Sequence, residues 1–152
     1  MHVYDLKVEQ TLPISREEAW QFFSSPRNLD EITPKNLGFK ITYMSSPNMY
    51  EGEIITYKIR MMPMVWISWV TEIKSVKEGE SFIDQQLSGP YKLWHHLHQF
   101  EETSEGVKMT DLVHYSIGFG PLDPIINKLY IKKKLNRIFQ YRREVLSQKF
   151  SD

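Results

Sequence analysis

The sequence predicts an α+β fold: a curved antiparallel sheet of about seven strands, two short N-terminal helices, and a long C-terminal helix lying over a cavity. Three observations carry this. Residues 38–118 fall into short extended runs punctuated by turn residues such as Ser46-Pro47-Asn48, Glu78-Gly79-Glu80, Gly89-Pro90 and Ser104-Glu105-Gly106, which is the spacing of antiparallel hairpins. From Leu122 to Phe150 there is no glycine and no proline except Pro124, which a helix tolerates in its first turn. Ahead of the sheet, Ser15 followed three residues later by Glu18 has the form of a capping box.

In order, Val3 to Gln10 reads as an opening strand, with Val3, Leu6 and Val8 set among polar residues. The helix capped by Ser15 buries Ala19, Trp20, Phe22 and Phe23, and Ser24 to Asn28 interrupts it. Asn28 is then expected to cap a short helix, Leu29 to Ile32, which Pro34 ends. Six strands follow as a meander: Phe39 to Met44, Gly52 to Met61, Met64 to Val76, Ser81 to Leu87, Tyr91 to Glu101 and Val107 to Ile117. On a helical wheel the last segment carries two stripes on nearly opposite sides: Leu122, Ile125, Ile126 and Leu129, then Ile131, Leu135, Ile138, Val145 and Leu146. A kink near Ile131, or burial of the two halves against different surfaces, is therefore expected, with the second half on the sheet. A curved sheet whose one apolar face is covered by a long helix encloses space between them, the arrangement called a helix grip.

Composition narrows the function classes. At 152 residues the chain fits one domain, residues 1–152. Nineteen basic residues balance nineteen acidic ones, so the summed charge offers no pull toward nucleic acid or an anionic membrane. The run Lys132-Lys133-Lys134 reads as a solvated helix face. Without cysteine there are no disulfides, zinc–thiolate sites or thiol chemistry. The start MHVYDLKVEQ lacks the pattern of a signal peptide and no apolar run is long enough to span a bilayer, so the expectation is a cytoplasmic protein with no integral membrane segment. Aromatic residues at 13% and seven methionines suit a dense core or the lining of an apolar pocket.

Several stretches resemble a bacterial branch of the SRPBCC superfamily, the START-like and birch-pollen-allergen-like ligand-binding domains. They are Pro26 to Ile41, Trp66, Phe82 to Phe100, Val107 to Tyr115 and Leu135 to Leu146, and Phe82 to Tyr115 is the strongest. The resemblance implies a helix-grip domain that holds a lipid- or polyketide-like molecule between sheet and helix; the expectation adds no obligatory metal or organic cofactor. It also implies a nucleotide-sugar-epimerase-like protein as an occasional companion. Superfamily members include cyclases, aromatases and hydrolases, so the fold constrains the function only loosely.

Candidate site residues come from strand alternation. In GPYKLWHHLHQF (Gly89 to Phe100), Trp94, His96, His98 and Phe100 share one face, while His95 points the other way. On the neighbouring strands, Asp84 and Gln86 keep phase with Phe82, and Asp111 and Tyr115 with Met109 and Val113. Asp84, Gln86, His96, His98 and Asp111 thus form a polar band among aromatics, assigned to the concave face because the residues carrying the resemblance have this phase. Three roles compete for it: a buried hydrogen-bonded network, orientation of a ligand's polar end, or a metal or acid–base centre. The third lacks support from any nucleophile, P-loop or zinc-protease motif. Trp94 and Tyr115 are expected to line the pocket, Tyr57 and Trp66 its mouth; Arg142 and Arg143 read as surface salt-bridge residues. The reading is a binder of a small hydrophobic ligand, with Tyr57, Trp66, Asp84, Gln86, Trp94, His96, His98, Asp111 and Tyr115 as its contacts. The alternatives are an enzyme using a His/Asp acid–base pair on a hydrophobic substrate, and an interaction module with a vestigial pocket.

Overall fold

The computed structural model describes residues 1–151, apart from the side chains of Met61 and Met62. Seven strands form one antiparallel, curved sheet: β1 (Tyr4–Leu12), β2 (Lys40–Met44), β3 (Ile54–Met62), β4 (Val65–Lys77), β5 (Ser81–Ser88), β6 (Leu93–Thr103) and β7 (Gly106–Ser116). Their spatial order is β1-β7-β6-β5-β4-β3-β2, so six strands are a simple meander and β1 closes the far edge. Each strand lies within two residues of its expected bounds. Register shifts in β2–β3, β3–β4 and β4–β5 add the local twist that lets a sheet curl. Gly106 opens β7 at φ 129°, where a side chain would collide with the Leu12 carbonyl, so the β6–β7 turn passes tightly beneath the end of β1.

Between β1 and β2 lies α1 (Arg16–Phe23). The Ser15 hydroxyl accepts the Glu18 amide N–H at 3.0 Å, and Glu17 and Glu18 place negative charge in the first turn. Ser15→Ala is expected to cost about 1 kcal/mol in chemical denaturation, the usual worth of such a cap. The next turn differs from the sequence expectation. Residues Pro26–Leu29 form a 3-10 turn, and Asn28 does not cap a following helix; its side-chain amide donates back to the Phe22 carbonyl at 2.8 Å. That bond reinforces the end of α1, where the Phe22 carbonyl also accepts the Ser25 amide at 3.4 Å. A second 3-10 turn, Lys35–Leu37, ends at Gly38 in the left-handed region.

The C-terminal helix explains its two stripes by an unexpected route. A short α2 (Asp123–Ile126) continues through a π-helical turn (Asn127–Ile131) into α3 (Lys132–Lys149). The buried residues are Asp123 ahead of the turn and Asn127 at its start, then Leu135, Phe139, Arg142 and Leu146 after it. On a regular wheel these two sets lie about 110° apart, and a π turn, carrying roughly one extra residue, takes up about 100° of that. Both sets therefore face the sheet. The expected first stripe does not: Leu122, Ile125 and Leu129 are half exposed or more, and only Ile126 is partly covered. The interior at this end needs polar partners instead, since Asp123 accepts the Phe119 amide and Asn127 accepts the Tyr115 hydroxyl at 2.7 Å.

The core between sheet and helix has two apolar halves. One, beneath α1, gathers Leu12, Ala19, Ile32, Phe82, Phe100, Met109 and Leu146; the other gathers Trp69, Trp94, Val113, Tyr115, Leu135 and Phe139. Asp84 on β5, His96 and His98 on β6, Asp111 on β7 and Arg142 on α3 fall at the boundary, so a polar layer divides the two. Among the described residues, no helix is long and apolar enough to cross a membrane.

Candidate functional site

The polar layer is built from side chains at matching positions on three paired strands. The register sets Asp84 opposite His96, and His98 opposite Asp111. His96 Nε2 lies 2.7 Å from Asp111 Oδ1, and His98 Nε2 lies 2.6 Å from Asp84 Oδ2. The remaining ring nitrogens approach the other carboxylate, His96 Nδ1 to Asp84 Oδ2 and His98 Nδ1 to Asp111 Oδ1, each at 3.3 Å. The two imidazoles stack with centroids 3.7 Å apart, and Phe82 stacks on the outer face of His98 at 4.3 Å. The Trp94 indole N–H donates to Asp84 Oδ1 at 3.1 Å.

Arg142 enters from α3. Its guanidinium lies 3.2 Å from Asp111 Oδ1 and sits over the rings of Phe23 and Phe139. It is buried, which corrects the surface salt bridge expected from sequence. The signal was present in the spacing Leu135, Phe139, Arg142, Leu146, whose steps of four, three and four residues put Arg142 on the apolar stripe. Its neighbour Arg143 does reach the surface, donating to the Glu9 carbonyl.

Burial by itself would lift both carboxyls and lower the imidazole, but the neighbours outweigh it. His96 and the hydrogen bonds from both histidines hold the Asp84 carboxyl far below the ordinary range. Arg142 and the histidines do the same for Asp111, and the two carboxylates push His96 up to about 9. Near neutral pH the layer is therefore a paired set, with Arg142 and an imidazolium against two carboxylates.

Asp84, His96 and His98 bring three potential ligand atoms within 4.8 Å of one another. The stacking argues against their sharing an ion: near-parallel rings aim their lone pairs side by side, whereas two imidazoles on one metal at about 2.1 Å must converge. The arrangement suits proton sharing better.

A cavity of about 80 Å³ opens beside the layer, beneath the segment Phe22 to Ile32. Its walls are mainly apolar, from Phe22, Phe39, Ile41, Met49 and Ile73 among others, while Tyr57, Thr71, Asp84, His98 and Arg142 supply the polar part. Of the nine expected contacts, Tyr57, Asp84 and His98 line this space. Trp94, His96 and Asp111 form the layer around it. Gln86 is spent holding the β5–β6 turn, with its side chain bonded to the Tyr91 carbonyl and amide, and Tyr115 bonds Asn127. Trp66 lies near the tip of the β3–β4 hairpin, 49% exposed, beneath Arg60. Thr71 and the whole Phe22 to Ile32 cover were not selected from sequence; Thr71 shares the inward phase of Trp69 and Ile73 on β4, a signal that alternation could have used.

No family model matches the sequence, and no curated protein matches it. Solved structures do resemble it. Protein CV1439 from Chromobacterium violaceum superposes with a TM-score of 0.71 at 10% identity, over 98% of this chain and 99% of that one. Ara h 8.0201 gives 0.65 at 16%, over 97% and 99%. A nucleoside-diphosphate sugar epimerase from Corynebacterium glutamicum gives 0.70 at 20%, over 94% of this chain but 28% of that one, so there the likeness is to one part of a longer protein. At these identities the likeness speaks for the backbone plan alone, and the chain has the helix-grip fold that its sequence predicts.

Proposed function

We propose that the domain binds a small, largely apolar molecule in the cavity beneath Phe22 to Ile32, holding an oxygen-bearing end against Thr71, His98 and Arg142. The observation that carries this reading is a set of under-used polar atoms on an otherwise apolar wall. Thr71 Oγ1, His98 Nδ1 and Arg142 Nε are buried without a well-formed hydrogen bond, although their residues line the cavity. Leaving such a group unmet costs about 1–3 kcal/mol, which a ligand oxygen would recover. About 80 Å³ is well below the size of pockets that enclose drug-sized molecules. A lipid- or polyketide-like guest thus requires the Phe22 to Ile32 cover to swing outward.

The test is mass spectrometry of compounds extracted from protein purified without detergent, followed by titration of the released compound. Thr71→Val and His98→Ala are each expected to weaken its binding by about tenfold. Equal affinity across both variants removes the polar anchor, and release of nothing that rebinds the wild type removes the reading.

A second reading rests on one contact, the 2.6 Å approach of Asp84 to the cavity-lining His98, the form of an oriented general base. It requires turnover of the bound compound with a bell-shaped pH profile that His98→Gln abolishes. The match to part of an epimerase chain supports, as a partner, a nucleotide-sugar-epimerase-like protein; analytical gel filtration of the mixed proteins tests it, and separate elution rejects it.

A further inference from the structure

The net charge of zero conceals a separation along the sheet. β4 begins, β5 ends, β6 begins and β7 ends at one end of the molecule, the end where α2 and the π turn also lie. Here β3 and β4 run past β5, whose last residue Ser88 pairs with Val70, so the hairpin carrying Met64 projects. Arg60, Lys92, Lys128, Lys132 and Lys133 are exposed at this end, where Asp123 is buried and Asp5 is an exposed carboxylate. Glu78, Glu80 and Glu105 instead occupy the β4–β5 and β6–β7 turns at the opposite end, with Glu101 and Glu102 at the close of β6 beside Lys108 and Arg16.

The same basic end carries the exposed apolar surface. Met64 is 93% and Tyr130 69% exposed, and Trp66, Phe119, Ile125 and Leu129 are each about half exposed. Among the described residues, the other large apolar side chains left this open are at the same end too, except Tyr43 and Tyr50. Beneath this end, Ile59 of β3 and Ile126 and Ile131 of the helix pack against one apolar cluster. Aromatic and aliphatic side chains rimmed by lysine and arginine, with little acid among them, are the composition of surfaces that insert shallowly into the headgroup region of an anionic bilayer.

We propose that this end, comprising the β3–β4 tip and the exposed face from Phe119 to Lys133, docks peripherally on an anionic membrane surface. Lysines and Arg60 meet the lipid phosphates, while Met64, Trp66, Ile125 and Leu129 enter the interface. The docking is independent of what occupies the cavity, so neither proposal falls with the other.

The test is co-sedimentation of the full chain with vesicles of phosphatidylcholine alone and with phosphatidylglycerol mixed in. Binding is expected to the mixed vesicles at low salt, weakening as salt rises. Lys132→Glu with Lys133→Glu is expected to weaken it at least thirtyfold, since each lysine near an anionic surface is worth about fivefold. Leu129→Glu should weaken it by about tenfold or more through lost insertion. Both variants change exposed residues, and unchanged circular dichroism confirms folding. No binding to mixed vesicles at low salt overturns the proposal, as does binding that these variants leave intact. A dimer in light scattering that Leu129→Glu splits, with no vesicle binding, also overturns it by assigning the surface to a second copy.

Discussion

Arg142→Met is expected to lower the melting temperature by roughly 10 °C, because it leaves two buried carboxylates, Asp84 and Asp111, to share the one imidazolium of His96. Asp111 is buried, and Arg142 is the permanent cation beside it, at 3.2 Å. Breaking a buried pair from one side costs about 3–5 kcal/mol, and a domain of this size loses about 2–4 °C per kcal/mol. The packing loss is secondary, since methionine still covers Phe23 and Phe139. The double variant Arg142→Met with Asp111→Asn is expected to recover more than half of the loss, because it removes the stranded charge along with its partner. Thermal denaturation of the three proteins decides the matter. A loss below about 1 kcal/mol in the single variant would mean that water reaches Asp111 and screens it.

Stability should also fall as pH rises from neutral to mildly alkaline, the reverse of common experience. The His96 pKa is pushed up to about 9 in the folded chain, whereas an unfolded histidine titrates near 6.5. A group raised in this way contributes fully below about pH 6.5 and nothing above about pH 9, so roughly 3 kcal/mol disappears between them. Asp84 and Asp111 have the opposite sign: lowered in the folded state, they stabilise above about pH 4, and that contribution fades as acid protonates them. Stability should thus be greatest between about pH 4 and 6.5. The raised tyrosines, Tyr57 and Tyr91, add alkaline loss only above their unfolded value near 10. Urea unfolding at pH 6 and pH 9 isolates the imidazole, and His96→Gln should flatten the difference. A wild type equally stable at both pH values would show that His96 is neutral in the folded state.

How much of this was legible in the sequence depended on which pattern carried it. Turn residues and period-two alternation placed every strand and put Trp94, His96, His98 and Phe100 together on the buried face, because strand geometry leaves a side chain two choices of direction. A helix offers a continuum, and a wheel assumes a constant angle. The π turn breaks that assumption, so Leu122, Ile125 and Leu129 looked like a core stripe while Asp123 and Asn127 took the inside. Arg142 was misplaced for a different reason: its charge argued for the surface, and Asp111, in contact with it from β7 but 31 residues away in sequence, makes its burial tolerable. The charge separation could not be read at all, since counting cations and anions discards where the folded chain puts them.

The π turn holds one extra residue in a helix that would otherwise be regular, so chain length between Asn127 and Ile131 is constrained in one direction. Removing one residue there would leave an ordinary α-helix whose two parts still face the sheet, because the turn already absorbs about 100° of rotation. Adding one would turn the two parts against each other by about that angle, so that either Arg142 leaves Asp111 or Asn127 leaves Tyr115. Substitutions at the exposed positions of this turn cost little, whereas an insertion of three nucleotides in the coding sequence would force a choice between two interiors. The segment is a phase register for the whole domain, able to lose a residue and unable to gain one.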